Sequence, residues 1–158
     1  MDFDLKKFKG AKFEPRQEAV PVPDLKEFFR DGAEPVWIVR GLSGHELGKV
    51  NEAAEKSKNL SAILDGLVSP DIKEKIDALK ADMGLDDAVP NDIVRRLELL
   101  RIGSVNPTID HETAVKFCTY FPVEFYTLTN QITALTGRGA QVKKKQQNSG
   151  RTPESETP

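Results

Sequence analysis

From Ser43 onward, apolar residues return every three or four positions between capping signals, which restricts most of the chain to helices sharing one core. The clearest case lies late in the chain. Pro122 stands at a first-turn position, where a missing N–H costs nothing, and Phe125, Leu128, Ile132 and Leu135 follow on one face. Gly137 is placed to be its left-handed C-cap. Asp110 is predicted to cap the preceding helix, with Ala114, Phe117, Cys118 and Phe121 facing inward. After a loop over Met83–Pro90, Asn91 is predicted to cap a helix with core positions Ile93, Leu97 and Leu100, ended by Gly103. Ser69-Pro70 opens a further one, with Ile72, Ile76 and Leu79 on its face. Ser43 and Glu46 form a capping box, in which hydroxyl and carboxylate each satisfy an orphan N–H. Leu47, Val50 and Ala54 follow at helical spacing, and Glu52 faces Lys56. Asn59 is expected to break that helix, leaving Leu60–Val68 as a short apolar helical segment.

The first third reads differently. Pro15, Pro21 and Pro23 remove ladder donors, so residues 1–23 are predicted to be an arm or edge strand rather than a helix. Asp24–Arg30 has one or two helical turns that bring Leu25, Phe28 and Phe29 together before Asp31-Gly32 ends it. Val36-Trp37-Ile38-Val39 is the strand candidate, a short β-branched and aromatic run. From Arg138 the chain turns polar, and residues 138–158 are predicted to be a disordered tail that cannot offset its ordering entropy by burial. The expectation is therefore a mainly α fold with a short N-terminal β element (α+β). Residues 24–137 would form a compact bundle of five to six helices. A chain of 158 residues suits one domain and can bury roughly two-thirds of its unfolded surface, so no staple is needed.

Composition narrows the function classes. The single cysteine, Cys118, permits no internal disulfide and fits a reducing compartment. No apolar run approaches the ~20 residues of a membrane span, and MDFDLKKFKG lacks the apolar core of a secretory signal, so a cytoplasmic protein without a membrane is expected. Net charge is −2, with both signs interspersed, whereas a nucleic-acid binder normally carries a basic surplus. Phe121-Pro122 joins two helices in the layout of a helix-turn-helix. The second reads VEFYTLTNQITAL, however, without arginine or lysine to reach phosphates or base edges. Lys143-Lys144-Lys145, with Arg138 and Arg151, is a modest basic patch better read as solubilising.

Reactive constellations are likewise missing from the pattern. His45-Glu46-Leu47-Gly48-Lys49 starts like a zinc helix, but Lys49 stands where a second histidine would bind, and an ammonium has no lone pair for a metal. Gly41-Leu42-Ser43-Gly44 brings its second glycine one residue early for a nucleophile elbow. His111 and Cys118 share a helix face but are seven residues apart, ~10 Å along the axis, too far for a thiolate–imidazole pair. Two histidines and one cysteine also give too few soft ligands for structural zinc. The expectation is a non-enzymatic protein without cofactor or metal. Trp37 and Leu42, beside the strand–helix turn, are read as core rather than contact residues, and no partner-binding residue is assigned.

VWIVRGLSGHELGKVNEAAEKSKNL, from Val36 to Leu60, resembles the characteristic stretch of tail assembly chaperones of long-tailed bacteriophages: a strand ending in an R-G-L-[ST]-G turn, then a helix rich in Glu, Asn and Ala. VPVPDLKEFF (Val20–Phe29) and LTGRGAQVKKK (Leu135–Lys145) are similar to the same pattern, and the three pieces cover about a third of the chain. The resemblance implies a chaperone that binds the tape measure protein in the host cytoplasm and is absent from the mature virion. It also implies a minority longer product, made by ribosomal frameshifting, whose extra domain recruits tail tube protein. Lysine codons at Lys143–Lys145 would be a slippery site. Self-association is left open. The alternatives are another morphogenesis factor, such as a head–tail connector or tail completion protein, and a small nucleic-acid-binding regulator.

Overall fold

A computed structural model describes residues 2–66, 74, 75, 78 and 90–144. The helix expected after Ser69-Pro70, the loop before Pro90 and the polar residues from 145 lie outside the described residues, except that Glu74, Lys75 and Ala78 are helical. The fold is mainly helical with a few short strands, as the spacing of apolar residues implies. In chain order come helix α1 (Leu5–Gly10), strands β1 (Phe13–Glu14) and β2 (Gln17–Pro21), and a 3-10 helix (Pro23–Phe28). Strand β3 (Val36–Arg40) leads into the long helix α2 (Gly44–Gly66). After it come α3 (Asn91–Gly103), β4 (Ser104–Asn106), α4 (His111–Tyr120), α5 (Pro122–Gly137) and β5 (Gln141–Val142).

β3 is the middle of an antiparallel sheet ordered β2-β3-β4. Its alternation sends Trp37 and Val39 inward, as a half-buried strand requires. β2 is an edge strand with Val20 opposite Trp37 and Pro21 opposite Val36, the setting in which proline is tolerated. The core lies between this sheet and helices α2 to α5. Val39, Val50, Leu100, Phe125, Leu128 and Ile132 are fully buried there. All four apolar positions expected on α5 are buried, as are Ala114 and Phe117 on α4, while Cys118 and Phe121 are partly covered against them. Trp37 and Leu42 belong to the core, as the sequence indicates.

Local signals were met in two places by the expected hydrogen bonds. The Glu46 N–H donates to Ser43 Oγ (3.2 Å) and the Ser43 N–H to Glu46 Oε1 (3.0 Å), closing the capping box of α2. Asp110 Oδ1 accepts from the Thr113 N–H (2.8 Å) at the start of α4.

Elsewhere the structure corrects the sequence reading. α2 runs through Asn59 to Gly66, because an asparagine inside a helix costs only a fraction of a kcal/mol, too little to end it. α3 is capped by Pro90, not Asn91: the Ile93 and Val94 N–H groups both reach the Pro90 carbonyl, so Asn91 is already helical. The left-handed glycine after α5 is Gly139 (φ 72°), two residues beyond Gly137, since the Arg138 and Gly139 N–H groups first bond to the carbonyls of Leu135 and Thr136. The N-terminal arm contains a helix as well as its edge strand. Asp4 caps α1 by accepting from the Lys7 N–H (2.9 Å). Residues 138–144, read as the start of the tail, include β5, where Val142 faces Phe13 and Gln141 faces Glu14. A two-residue ribbon carries too little hydrophobic pattern to announce itself.

Candidate functional site

The R-G-L-S-G turn between β3 and α2 is a structural joint. Arg40 grips Glu46 with both terminal guanidinium nitrogens, Nη1 to Oε1 at 2.8 Å and Nη2 to Oε2 at 2.6 Å, in the fork geometry that only arginine offers a carboxylate. The Arg40 guanidinium, helped by the Ser43 N–H, pulls the Glu46 carboxyl down to about 2. Gly41 lies against the end of α5, where an added Cβ would stand 3.0 Å from the backbone of Leu135 and Thr136. The Leu42 N–H then donates to Thr136 Oγ1 (2.9 Å). Arg40, Gly41, Leu42 and Ser43 are thus each occupied in joining strand, helix and α5. Ser43 serves as a cap, and His45 is exposed beside it without a metal cluster: among the described residues, no group of three or more His, Cys, Asp or Glu could hold an ion.

The remaining near-misses resolve in the same way. His111 faces Glu98, with Nδ1 3.8 Å from Oε1, and Cys118 is partly covered by the core. Burial pushes the Cys118 thiol up, opposite to the activation a nucleophile needs.

The surface that stands out is an open groove between the 3-10 helix, β3 and α4, with a volume of about 1010 Å³. Its aromatic residues form a continuous series from core to solvent. Trp37 (6% exposed) packs on Phe117 with ring centroids 5.0 Å apart, Phe117 on Phe121 at 5.9 Å, and Phe121 meets Phe28 edge-on at 6.4 Å. Phe28 is 70% exposed and Tyr120, also lining the groove, 68%. A solvated phenylalanine and tyrosine facing one concavity leave apolar area uncovered that a partner could bury.

The groove's floor is rigid for reasons visible in its bonding. Trp37 Nε1 donates to Ser104 Oγ (3.0 Å), and that hydroxyl donates to the Leu100 carbonyl (2.6 Å), so the indole and the buried serine are both satisfied. One strand, one helix end and the ring are thereby fixed together. The groove holds apolar surface and, among its lining residues, only Arg30, Glu34 and Lys116 as charges. Such a set can bind an apolar face and orient it.

Sequence reasoning grouped Leu25, Phe28 and Phe29 but did not place them opposite α4. The available signal was Phe28 followed by Tyr120 and Phe121 as large aromatics at element ends, which a helical repeat leaves unexplained. A second, smaller cavity of about 490 Å³ lies over the Arg40–Glu46 joint, lined also by Phe13, Arg16 and Leu135.

Among the described residues, no helix is long and apolar enough to cross a membrane. No family model, curated protein or solved structure matches the chain.

Proposed function

We propose that the protein is a phage tail assembly chaperone that holds amphipathic helical segments of the tape measure protein in the groove between Phe28 and Tyr120. The observation that carries this reading is the aromatic series from buried Trp37 to exposed Phe28, a preformed apolar concavity on a rigid floor. A helix with its side chains is ~10–12 Å across and rises 1.5 Å per residue, so the groove has room for roughly two turns of client. Amphipathic helices bind such grooves through anchors at i, i+3 or i+4, and i+7. A long client would engage many copies, each weakly, and the combined binding would be strong. The resemblance of Val36–Leu60 to tail assembly chaperones supplies the client's identity, and the joint formed by those residues explains structurally why such a motif would recur.

A change of reading frame at Lys143–Lys145 would leave β5 and everything before it intact. A longer product would then carry the same groove along with its tube-recruiting extension.

Co-expression with the tape measure protein tests the reading. The wild-type chain is expected to keep the tape measure soluble and to co-purify with it. Phe28→Asp combined with Tyr120→Asp is expected to abolish both effects while leaving the melting temperature within a few degrees, because both side chains are exposed. Equal solubilisation by this variant would refute the groove as the client site. Failure of the wild type to solubilise or co-purify would refute the chaperone reading itself.

A further inference from the structure

The β1–β5 ribbon gathers lysines from two distant parts of the chain among exposed apolar side chains. Lys6, Lys7, Lys9 and Lys12 come from α1 and its link to β1, and Lys143 and Lys144 follow β5; all six are exposed. The Lys143 N–H donates to the Lys12 carbonyl (2.7 Å), so the two groups meet. None of the six is in an ion pair with a described residue. The carboxylates of the same region are Asp2, Asp4 and Glu14. Asp4 caps α1, and Glu14 accepts from Gln141 Nε2 (3.2 Å). The region is therefore net cationic in a chain whose overall charge is −2.

The apolar members are continuous. Phe3 is 71% exposed, and its ring meets Phe8, which meets Phe13, with centroids 5.4 and 5.3 Å apart. Phe13 stands opposite Val142, itself 59% exposed, and directly opposed residues of an antiparallel pair share a face. Leu5, also exposed, precedes Phe8 by one helical turn, while Lys6 and Lys7 fall on other sides of α1 and Lys9 flanks the pair. α1 buries none of its six residues, whereas an isolated helix shorter than ~12–15 residues is marginal in water.

We propose that α1 and the β1–β5 ribbon form a peripheral membrane site, which lays Phe3, Leu5, Phe8, Phe13 and Val142 into the surface of a bilayer carrying anionic lipid. Segments with lysines beside phenylalanine and leucine lie in the plane of the interface, and no membrane span is needed. Clustered lysines are drawn to the negative surface of such a bilayer, each worth about fivefold in affinity. The apolar side chains then leave water, which supplies the second signal that stable attachment requires. The rest of the chain is acidic and would face away from the lipid. Two observations favour lipid over a single-stranded nucleic acid. Leu5 and Val142 offer nothing to a base, and the phenylalanine rings already fill the space between one another, leaving no slot for a base to enter. The charges are also all lysines, point charges without the planar fork that stacks on bases and grips phosphates.

The proposal uses neither the groove nor the client reading. Flotation of the full chain with vesicles tests it, comparing phosphatidylcholine alone with equal parts phosphatidylcholine and phosphatidylglycerol. Binding is expected to the mixed vesicles only, and should weaken by about tenfold or more between low and high ionic strength. Phe3→Ser with Phe8→Ser should weaken it by about tenfold or more, as should Lys6→Gln with Lys7→Gln and Lys9→Gln. Lys143→Gln with Lys144→Gln should weaken it several-fold, because the ribbon places those residues in the same patch. Phe28→Asp with Tyr120→Asp should leave it unchanged. The amides of α1 should gain protection from hydrogen exchange on the mixed vesicles. All the substituted residues are exposed, so unchanged melting temperatures separate lost binding from lost fold. No binding to the mixed vesicles at low ionic strength would overturn the proposal, as would binding indifferent to the arm substitutions. Capture of a single-stranded oligonucleotide through the same lysines, without vesicle binding, would assign the patch to nucleic acid and overturn it too.

Discussion

Gly48 and Gly103 are both helical glycines, yet their surroundings give substitution opposite signs. A Cβ at Gly48 meets nothing within 4 Å, so Gly48→Ala in α2 should stabilise the fold by about 0.5–1 kcal/mol through lower backbone entropy of the unfolded chain. A Cβ at Gly103 would lie 2.7 Å from Ile132 Cδ1 and 2.9 Å from its Cγ1 and Cγ2. Ile132 is fully buried and β-branched, so it has nowhere to move, and Gly103→Ala should destabilise by about 1–3 kcal/mol. Urea titration of both variants checks the pair. Glu46 gives a pH-dependent prediction. Its carboxyl lies at about 2 in the folded protein against an ordinary 4.5, so the stability it contributes is complete above pH 4.5 and is lost as pH falls toward 2. With the side chain 26% exposed, solvent screening limits this to about 1 kcal/mol. Glu46→Gln should therefore be less stable than wild type at neutral pH and equal to it near pH 2, as measured by denaturation across that window.

At the scale of elements, legibility followed locality. The caps of α2 and α4 and the buried face of α5 could be read from the chain because cap and periodic face are sequence-local. Polar exceptions inside α5 could not be read. Thr129 is fully buried, its hydroxyl donating to the Phe125 carbonyl (2.9 Å) and accepting from Arg96 Nη1 (2.7 Å), while the Arg96 guanidinium lies 4.3 Å over the Tyr126 ring. Nothing within VEFYTLTNQITAL announces an arginine arriving from α3. Local stability should differ between elements accordingly. In dilute solution the amides of α1 should exchange with solvent at nearly unprotected rates, whereas those around Phe125, Leu128 and Ile132 should exchange only through global unfolding. Hydrogen-exchange mass spectrometry separates the two. Strong protection of α1 in a dilute monomer would contradict the absence of buried residues in it.

For the whole molecule, the two ends of the described chain are tied together. The Lys143 N–H donates to the Lys12 carbonyl (2.7 Å), and β1 pairs with β5. The ribbon is short and solvent-facing, so ending the chain after Ala140 should change global stability by little, about 1 kcal/mol or less. It should free the arm, however, and limited tryptic cleavage after Lys9 or Lys12 should become much faster than in wild type. Unchanged cleavage would mean that something other than β5 holds the arm. The groove is a property at the same scale: its walls come from residues 25–38 and 106–121, brought together by β3 pairing with β4 and by α4 packing across the strand's end.

The mainly helical class, the β3 strand, the buried face of α5 and the caps at Ser43 and Asp110 were determined by the sequence alone, since each depends on residues a few positions apart. The β2-β3-β4 order, the Arg40–Glu46 grip, the β1–β5 tie and the aromatic groove were decided only by tertiary structure. Periodicity identified Phe117 and Phe121 as inward residues. Whether the concavity beside them would be filled or left open depended on where Phe28 arrived from far away in the chain, and no local pattern encodes that distance.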